Sequence, residues 1–208
     1  MRKAGTLLMV LGVVLILAAV ALFQFNQREA AEAEQSMVEI MPQLVQKIQE
    51  KTAEEATVET IPLWELPQQT EPEDAEPMTE LEVDGNGYIG CLSLPALDLE
   101  LPVMGDWSYS KLKVAPCRYA GNLLTENLVI MAHNYNSHFG RINQLNPGDI
   151  VLFVDVSGNL TECEVVGKEV LEATAVEEMT AGNYDLTLFT CTYGGGSRMT
   201  VYCDQIAE

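Results

Sequence analysis

Three polar residues stand at the ends of apolar, strand-like segments, and together they have the chemistry of acyl transfer through a thiol. Cys191 ends the run Leu186–Cys191, and His133 directly follows the run Asn127–Ala132. Arg198 opens a further run beyond a glycine-rich loop. Acyl transfer needs a thiolate nucleophile, a proton carrier and a fixed donor for the oxyanion. An arginine suits the last role because its charge is permanent and its fork donates several hydrogen bonds.

The same residues have simpler interpretations. A cysteine in an apolar strand is often only a small buried hydrophobe, and a single histidine is often an ordinary half-buried side chain. Composition and strand ends therefore leave three hypotheses open: a thiol transpeptidase, a hydrolytic β-barrel cysteine peptidase, and a non-enzymatic extracellular binding module on a stalk. The remaining cysteines are interpreted as buried, except one that follows Pro116 in a predicted loop and is expected to be exposed; the four are Cys91, Cys117, Cys163 and Cys203.

Short segments rich in Val, Ile, Leu, Thr and Tyr fill residues 84–208 and are separated by turn residues. This pattern predicts an all-β fold, a closed barrel of seven to eight strands with one or two short helices. The predicted strands are Tyr88–Leu94, Leu97–Val103, Asn127–Ala132, Asp149–Val154, Leu160–Leu171, Leu186–Cys191 and Met199–Cys203, and the predicted helical turns are Lys111–Val114 and Phe139–Leu145.

The N-terminal residues 1–25 have the composition of a cytoplasmic tip and a membrane anchor. Ala4–Phe23 is a run of 20 uncharged, mostly apolar residues, long enough as a helix to cross a bilayer core of about 30 Å. Arg2 and Lys3 precede it, so the positive-inside rule places the N-terminus in the cytoplasm and the rest outside. The alternative is a signal peptide cleaved near Ala31–Ala33, but the run is longer than a typical signal core.

Residues 26–83 are acidic and are interpreted as a helical, then proline-rich, stalk and linker. Met37, Met41, Leu44 and Ile48 form a narrow apolar stripe at helical spacing, which Pro42 interrupts. The stripe could serve self-association or dock on another surface, but Pro42 and the acidic composition favour a weakly helical stalk.

Prolines recur every five residues through 59–84, which predicts an extended linker. Trp64 lies in a local apolar patch of this linker and could instead cover a groove on the domain.

The chain has a formal net charge of −20, from 31 acidic and 11 basic residues. Nucleic acid is therefore excluded as a partner, because phosphate binding needs a basic face. Some carboxylates could hold calcium, but acidic residues are abundant and surface solvation explains them better, so no cofactor is expected. The carboxylates considered are Glu162, Glu164, Glu177 and Glu178.

Several motifs resemble the sortase family. Leu186–Val201 resembles its active-site motif, in which Thr-Leu-x-Thr-Cys precedes a strand-borne arginine, and Asn127–His133 resembles its histidine segment with Ala132 in place of the usual glycine. The resemblance covers nearly all of 84–205 in order. Further matching segments are Tyr88–Val103, Lys113–Gly121 and Phe139–Val151.

The resemblance implies a membrane-anchored cysteine transpeptidase on the outer face of a Gram-positive membrane. It implies that Cys191 attacks a C-terminal LPXTG-like sorting signal of surface proteins, with His133 as general acid/base and Arg198 holding the substrate and the oxyanion. It also implies that Thr190 and Ala132 shape the substrate-binding site. An amine from a cell-wall precursor or a pilin lysine would then resolve the thioacyl enzyme.

The sortase class is less clearly indicated. His133 and Cys191 are 58 positions apart, which leaves little room for the helical insertion of class B enzymes. The compact core, and the lack of a membrane segment after Tyr202, favour a class A-like or D-like barrel. Class C enzymes usually carry a lid over the active site, and the linker around Trp64 could form such a lid.

Overall fold

The computed structural model describes residues 2–57, 78–123 and 127–206. The linker around Trp64, with the predictions made for it, lies outside the described residues. One long helix, α1 (Arg2–Thr57), precedes the β domain. The strands are β1 (Leu81–Val83), β2 (Asn86–Leu94), β3 (Leu99–Met104), β4 (Cys117–Ala120), β5 (Leu128–Ala132), β6 (Ile150–Asp155), β7 (Leu160–Glu172), β8 (Leu186–Cys191) and β9 (Ser197–Gln205); the short helices are α2 (Tyr109–Leu112) and α3 (Val176–Thr180), and 3₁₀ turns cover Pro95–Leu97 and Ile142–Gln144.

The described strands form one sheet in the order β1-β2-β3-β4-β5-β8-β9-β7-β6, and pairing of β2 with β6 closes it. Strands β2 to β9 thus make a closed barrel of eight strands, while β1 extends β2 as a hairpin. This confirms the predicted all-β closed barrel. Most neighbouring strands are antiparallel, but β5 and β8 run parallel, so their carboxyl ends meet at one end of the barrel.

Alternating side chains from the strands fill the barrel. Five different strands each contribute a fully buried side chain to this core: Leu92, Ile130, Phe153, Leu188 and Val201. Burying an aliphatic or aromatic side chain of this size stabilises a fold by about 1.5–3 kcal/mol. The core therefore fixes the strand ends that carry the candidate site.

The prediction for Cys117 is wrong. This residue begins β4, has no exposed surface, and donates its thiol hydrogen to the carbonyl of Ala115 at 3.4 Å. The sequence did not predict strand β4, because it has only four residues and follows Pro116, a residue type that favours loops. Burial also raises the pKa of the Cys117 thiol to about 12, so it stays protonated.

Helix α1 corrects the prediction of a weakly helical stalk. It continues through Pro42 without ending, and its inner face packs on β1, β2 and β3. Burial of this stripe outweighs the single helical hydrogen bond that a proline removes. Three of the four stripe residues, Met37, Leu44 and Ile48, are buried together with Ala33 and Ile40, whereas Met41 is half-buried, so the docking alternative is the correct one.

The amino-terminal part of α1 differs from this docked part. Its large apolar side chains between Leu8 and Phe25 are exposed. Among the described residues, this is the one helix long and apolar enough to cross a membrane. The apolar segment that is long enough to cross a membrane and the docked segment therefore belong to one continuous helix.

Truncating Leu44 is expected to loosen the docked helix. Leu44 has no exposed surface and belongs to the main core, so Leu44→Ala leaves a cavity and costs about 2–4 kcal/mol of unfolding free energy. Urea denaturation of the full chain in detergent micelles measures this loss. Val38→Ala is the control, because Val38 is on the same helix but 69% exposed. Equal stability of the two variants would contradict docking.

Candidate active site

Three strand ends bring the sequence-predicted residues together. Strand β5 pairs with β8 in a register that sets Ala132 beside Thr190, so His133 and Cys191 are the next residues on two adjacent parallel strands. Strand β9 returns antiparallel, with Arg198 directly opposite Cys191. Side chains that are directly opposite in an antiparallel pair share a face, with Cβ atoms about 4.5–5.5 Å apart. Cys191 therefore stands between the strand end that His133 follows and the strand start that carries Arg198.

A hydrogen bond between Thr190 and Ala132 links the parallel strands β8 and β5 one residue before Cys191 and His133. The Thr190 Oγ1 donates a buried hydrogen bond of 2.8 Å to the carbonyl oxygen of Ala132. Both residues are 4% exposed. Thr190 also lines the cavity beside Cys191, whereas Ala132 is buried beneath it. Their role in substrate binding stays a prediction, while their role in aligning the strand ends is visible in the hydrogen bond.

Removing the Thr190 hydroxyl should misalign the site. Thr190→Val keeps the shape but removes this buried hydrogen bond to the Ala132 carbonyl, which costs about 1 kcal/mol of unfolding free energy. We expect transpeptidation kcat/KM to fall roughly tenfold, because small displacements of reacting groups are costly. Urea denaturation and steady-state kinetics measure the two effects.

A matched control is Thr200→Val on β9. Thr200 is also fully buried, but its hydroxyl has no hydrogen-bond partner among the described residues. This variant should keep or slightly raise stability. If Thr190→Val behaves as Thr200→Val does in both measurements, the hydroxyl has no aligning role.

The loop between β8 and β9 is ordered by its own hydrogen bonds. Thr192 and Ser197 pair through their hydroxyl groups at 2.8 Å and through the Thr192 amide, which donates to the Ser197 carbonyl at 3.0 Å. Gly194 and Gly195 have φ angles of 85° and 74°, in the left-handed region that favours glycine. The turn therefore depends on these glycines to bring Arg198 back opposite Cys191.

Arg198 is anchored to this loop. Its Nη1 donates to the carbonyl of Gly195 at 3.0 Å and to that of Ser197 at 3.1 Å. Both hydrogen bonds that Arg198 donates to described residues come from Nη1, so its Nε and Nη2 groups can donate to a substrate. A loop-anchored guanidinium is a fixed donor of the kind an oxyanion needs.

His133 is half-buried at the end of β5. Burial lowers the pKa of His133, and the Lys113 charge lowers it further, whereas the Glu29 charge raises it. His133 is therefore mostly neutral at neutral pH and can accept a proton. The ring of Tyr135 packs against it, with ring centroids 4.9 Å apart.

The other histidine, His138, belongs to the core. It has no exposed surface, and burial lowers its pKa to about 4, so it stays neutral. Its backbone amide donates to the Tyr135 carbonyl in a tight turn that Gly140 completes. A Cβ at Gly140 would lie 2.6 Å from the carbonyl oxygen of Asn134, so this turn needs glycine.

Cys191 is half-buried and opens onto a cavity of about 260 Å³. Asn134, Asn136 and Asn143 give this cavity polar walls, and Phe139 and Met199 give it apolar ones. The sulfur is thus accessible rather than sealed in the core. Such a mixture of polar and apolar walls can hold a peptide or an amine next to the thiol.

Aromatic side chains continue the surface away from Cys191. Phe189 lies two residues before Cys191 on β8 and therefore on the same face. Its ring contacts Tyr119 edge-on at 5.3 Å, and Tyr119 contacts Trp107 at 5.9 Å. Sequence reasoning missed this wall, because Tyr119 and Trp107 carry no local signal that places them beside β8.

No metal centre is built at this site by the described residues. They contain no group of three or more His, Cys, Asp or Glu side chains that could hold a metal ion. The expectation that the site uses no cofactor stays a prediction.

The comparisons with known proteins identify the family. Residues 92–206, more than half of the chain, match the Sortase domain. The chain belongs to the sortase family, whose members are cysteine transpeptidases. No curated protein matches the chain.

Two solved structures share the fold. Sortase C1 from Streptococcus agalactiae is 20% identical with a TM-score of 0.54, and the match covers 63% of this chain and 74% of that one. Group B Streptococcus Pilus Island 1 sortase C2 is 22% identical with a TM-score of 0.51, covering 61% and 77%. At these identities the likeness shows the fold alone, so the class A-like or D-like assignment stays a prediction.

Proposed function

We propose that this sortase cleaves an LPXTG-like C-terminal sorting signal through a thioacyl enzyme on Cys191 and transfers the protein to an amine. The observation that carries the proposal is the convergence of Cys191, His133 and Arg198 at the ends of β8, β5 and β9. The expected clients are surface proteins with sorting signals, and the expected acceptor is an amine of a cell-wall precursor or of a pilin.

Acylation would proceed in one displacement. The Cys191 proton passes to His133, and the thiolate sulfur attacks the threonine carbonyl carbon of the signal. Arg198 stabilises the negative charge that develops on the carbonyl oxygen. As the C–N bond breaks, His133 gives its proton to the leaving amine, and a thioester to Cys191 remains.

Transfer would use the same groups in reverse. The acceptor amine attacks the thioester carbonyl, and His133 removes a proton from the amine nitrogen. An amide bond forms, the C–S bond breaks, and the sulfur leaves as a thiolate that His133 reprotonates. A histidine that burial keeps largely neutral suits the second step, because it must accept this proton.

We further propose a single-pass anchor with the catalytic domain outside the cell. The exposed apolar part of α1 supports the anchor, and the positive charges at Arg2 and Lys3 support a cytoplasmic N-terminus. The assignment of residues 84–208 as the catalytic domain rests on the barrel and on the Sortase match.

The test uses the full chain in detergent micelles with a fluorogenic LPXTG peptide. Oligoglycine, a stem-peptide mimic and a lysine-containing peptide are offered in turn as acceptors. Mass spectrometry should detect a thioacyl adduct on Cys191 and an amide product with at least one acceptor. Cleavage with water as the only acceptor would instead indicate a hydrolase, and no adduct with any sorting-signal peptide would favour a binding module.

A further inference from the structure

Helix α1 reaches the candidate active site at Glu29. This residue comes six positions after Phe23, the end of the predicted membrane span, which is about 9 Å along a helix. Its Oε1 accepts a hydrogen bond from the Lys113 Nζ at 2.6 Å. The first charged contact between the anchor helix and the barrel is therefore made just outside the predicted span.

Glu29 also contacts the aromatic neighbour of His133. Burial raises the pKa of the Tyr135 hydroxyl, and the nearby Glu29 charge raises it further. The Tyr135 ring in turn lies 4.9 Å from that of His133 with a 35° tilt. The Tyr135 carbonyl accepts hydrogen bonds from the amides of His138 and Gly140, which fixes its backbone. With its backbone held by the turn and its hydroxyl near the Glu29 carboxylate, the Tyr135 ring has a defined place against the imidazole.

The Glu29 carboxylate matters for His133 because it offsets the positive charge of Lys113. An ammonium near His133 disfavours the imidazolium, and an adjacent carboxylate offsets that effect. If Glu29 were absent or withdrawn, the Lys113 charge would act on His133 without compensation, and Tyr135 would lose its neighbouring carboxylate. Both changes affect the side chain that is proposed to carry the proton.

We propose that Glu29 is a positioning residue of the active site: by binding the Lys113 ammonium beside Tyr135, the ring neighbour of His133, it makes the docked membrane helix part of the catalytic centre. The proposal rests on His133 being the acid/base of the proposed function. Docking itself depends on the buried face of α1 from Ala33 to Ile48, because an ion pair with an exposed lysine contributes little to stability. Glu29 can therefore be replaced without detaching the helix.

Several titratable or charged groups surround His133 from different elements. Glu29 comes from α1, Lys113 from the turn after α2, and Cys191 and Arg198 from the neighbouring strand ends, while Tyr135 and His138 share its loop. A change in His133 titration can be assigned to Glu29 only when the other groups are left intact.

The first measurement is the titration of His133 in the full chain in micelles, followed by NMR with ¹³C-labelled histidine. The chain has two histidines, and the spectrum of a His133→Gln variant assigns their signals. Glu29→Gln should move the His133 midpoint to lower pH, and Lys113→Met should move it to higher pH. The double variant should return it close to the wild-type value, because the two charges offset each other.

The second measurement is the pH profile of kcat/KM with the LPXTG peptide and the best acceptor. Glu29→Gln should lower kcat roughly three- to tenfold with little change in KM, and the acidic limb of the profile should follow the NMR midpoint. Glu50→Gln is the matched control, since it removes the same charge from the same helix about 30 Å away and should change neither measurement.

The two proposals fail in different ways. An unchanged His133 midpoint in Glu29→Gln would overturn the positioning role and reduce the contact to simple docking. An unchanged kcat would do the same even if the midpoint moved. A wild-type chain that forms no adduct on Cys191, but whose His133 midpoint still responds to Glu29, would overturn the proposed function and support the coupling.

Discussion

Cys191→Ala is expected to abolish both cleavage of the LPXTG peptide and transfer to an amine. Without the sulfur there is no thioester, and the remaining groups cannot divide the reaction into two displacements. Loss of the nucleophile from a concerted set typically costs a factor of about 10⁴ to 10⁶ in kcat. Single-turnover assays and mass spectrometry of the acylated chain measure the loss.

The matched control is Cys91→Ala. Cys91 is also a half-buried free thiol, but it lines a groove between α1 and the barrel, and burial raises its pKa to about 11. This variant should retain activity near the wild-type level. A sorting-signal adduct that persists in Cys191→Ala, or that disappears in Cys91→Ala, would show that the nucleophile has been assigned to the wrong cysteine.

Arg198→Lys is expected to lower kcat/KM by roughly 10² to 10³, the typical effect of removing an oxyanion donor. Lysine keeps the positive charge but lacks the planar fork, so it cannot hold the loop carbonyls of Gly195 and Ser197 while also donating to a substrate. The position directly opposite Cys191 makes this geometry matter more than the charge alone. Steady-state kinetics at several peptide concentrations separate the effects on kcat and KM.

Alkylation of Cys191 by iodoacetamide serves as the control for this variant. Because lysine still supplies a cation near the sulfur, the alkylation rate should change much less than kcat/KM. Circular dichroism checks that the barrel is intact. If Arg198→Lys retains more than about a third of wild-type kcat/KM, Arg198 has no role in oxyanion stabilisation.

The strands that carry the site were predictable because their sequences are distinctive. The segment Leu186–Cys191 was predicted with the bounds that the structure has, since its first five residues are all buried and form a continuous apolar-rich run. The histidine strand was predicted to within one residue. In contrast, β4 is too short, and too close to Pro116, to stand out as a strand.

Helix α1 shows where reasoning from local sequence was wrong. Pro42 and an acidic composition favoured a weak stalk, yet the helix is continuous and docked. The apolar stripe was visible in the sequence, but its partner surface on β1 to β3 was not. A stripe of this width is ambiguous by itself, because packing rather than propensity stabilises most helices.

The sequence by itself determined the residue types, the apolar anchor and the strand ends at which Cys191, His133 and Arg198 stand. Only the tertiary structure decided that β5 pairs in parallel with β8, which sets His133 beside Cys191, and that α1 brings Glu29 to Lys113, 84 positions away. The physical reason is that periodicity reports how a segment is buried, whereas its partner and register follow from long-range packing of the whole core.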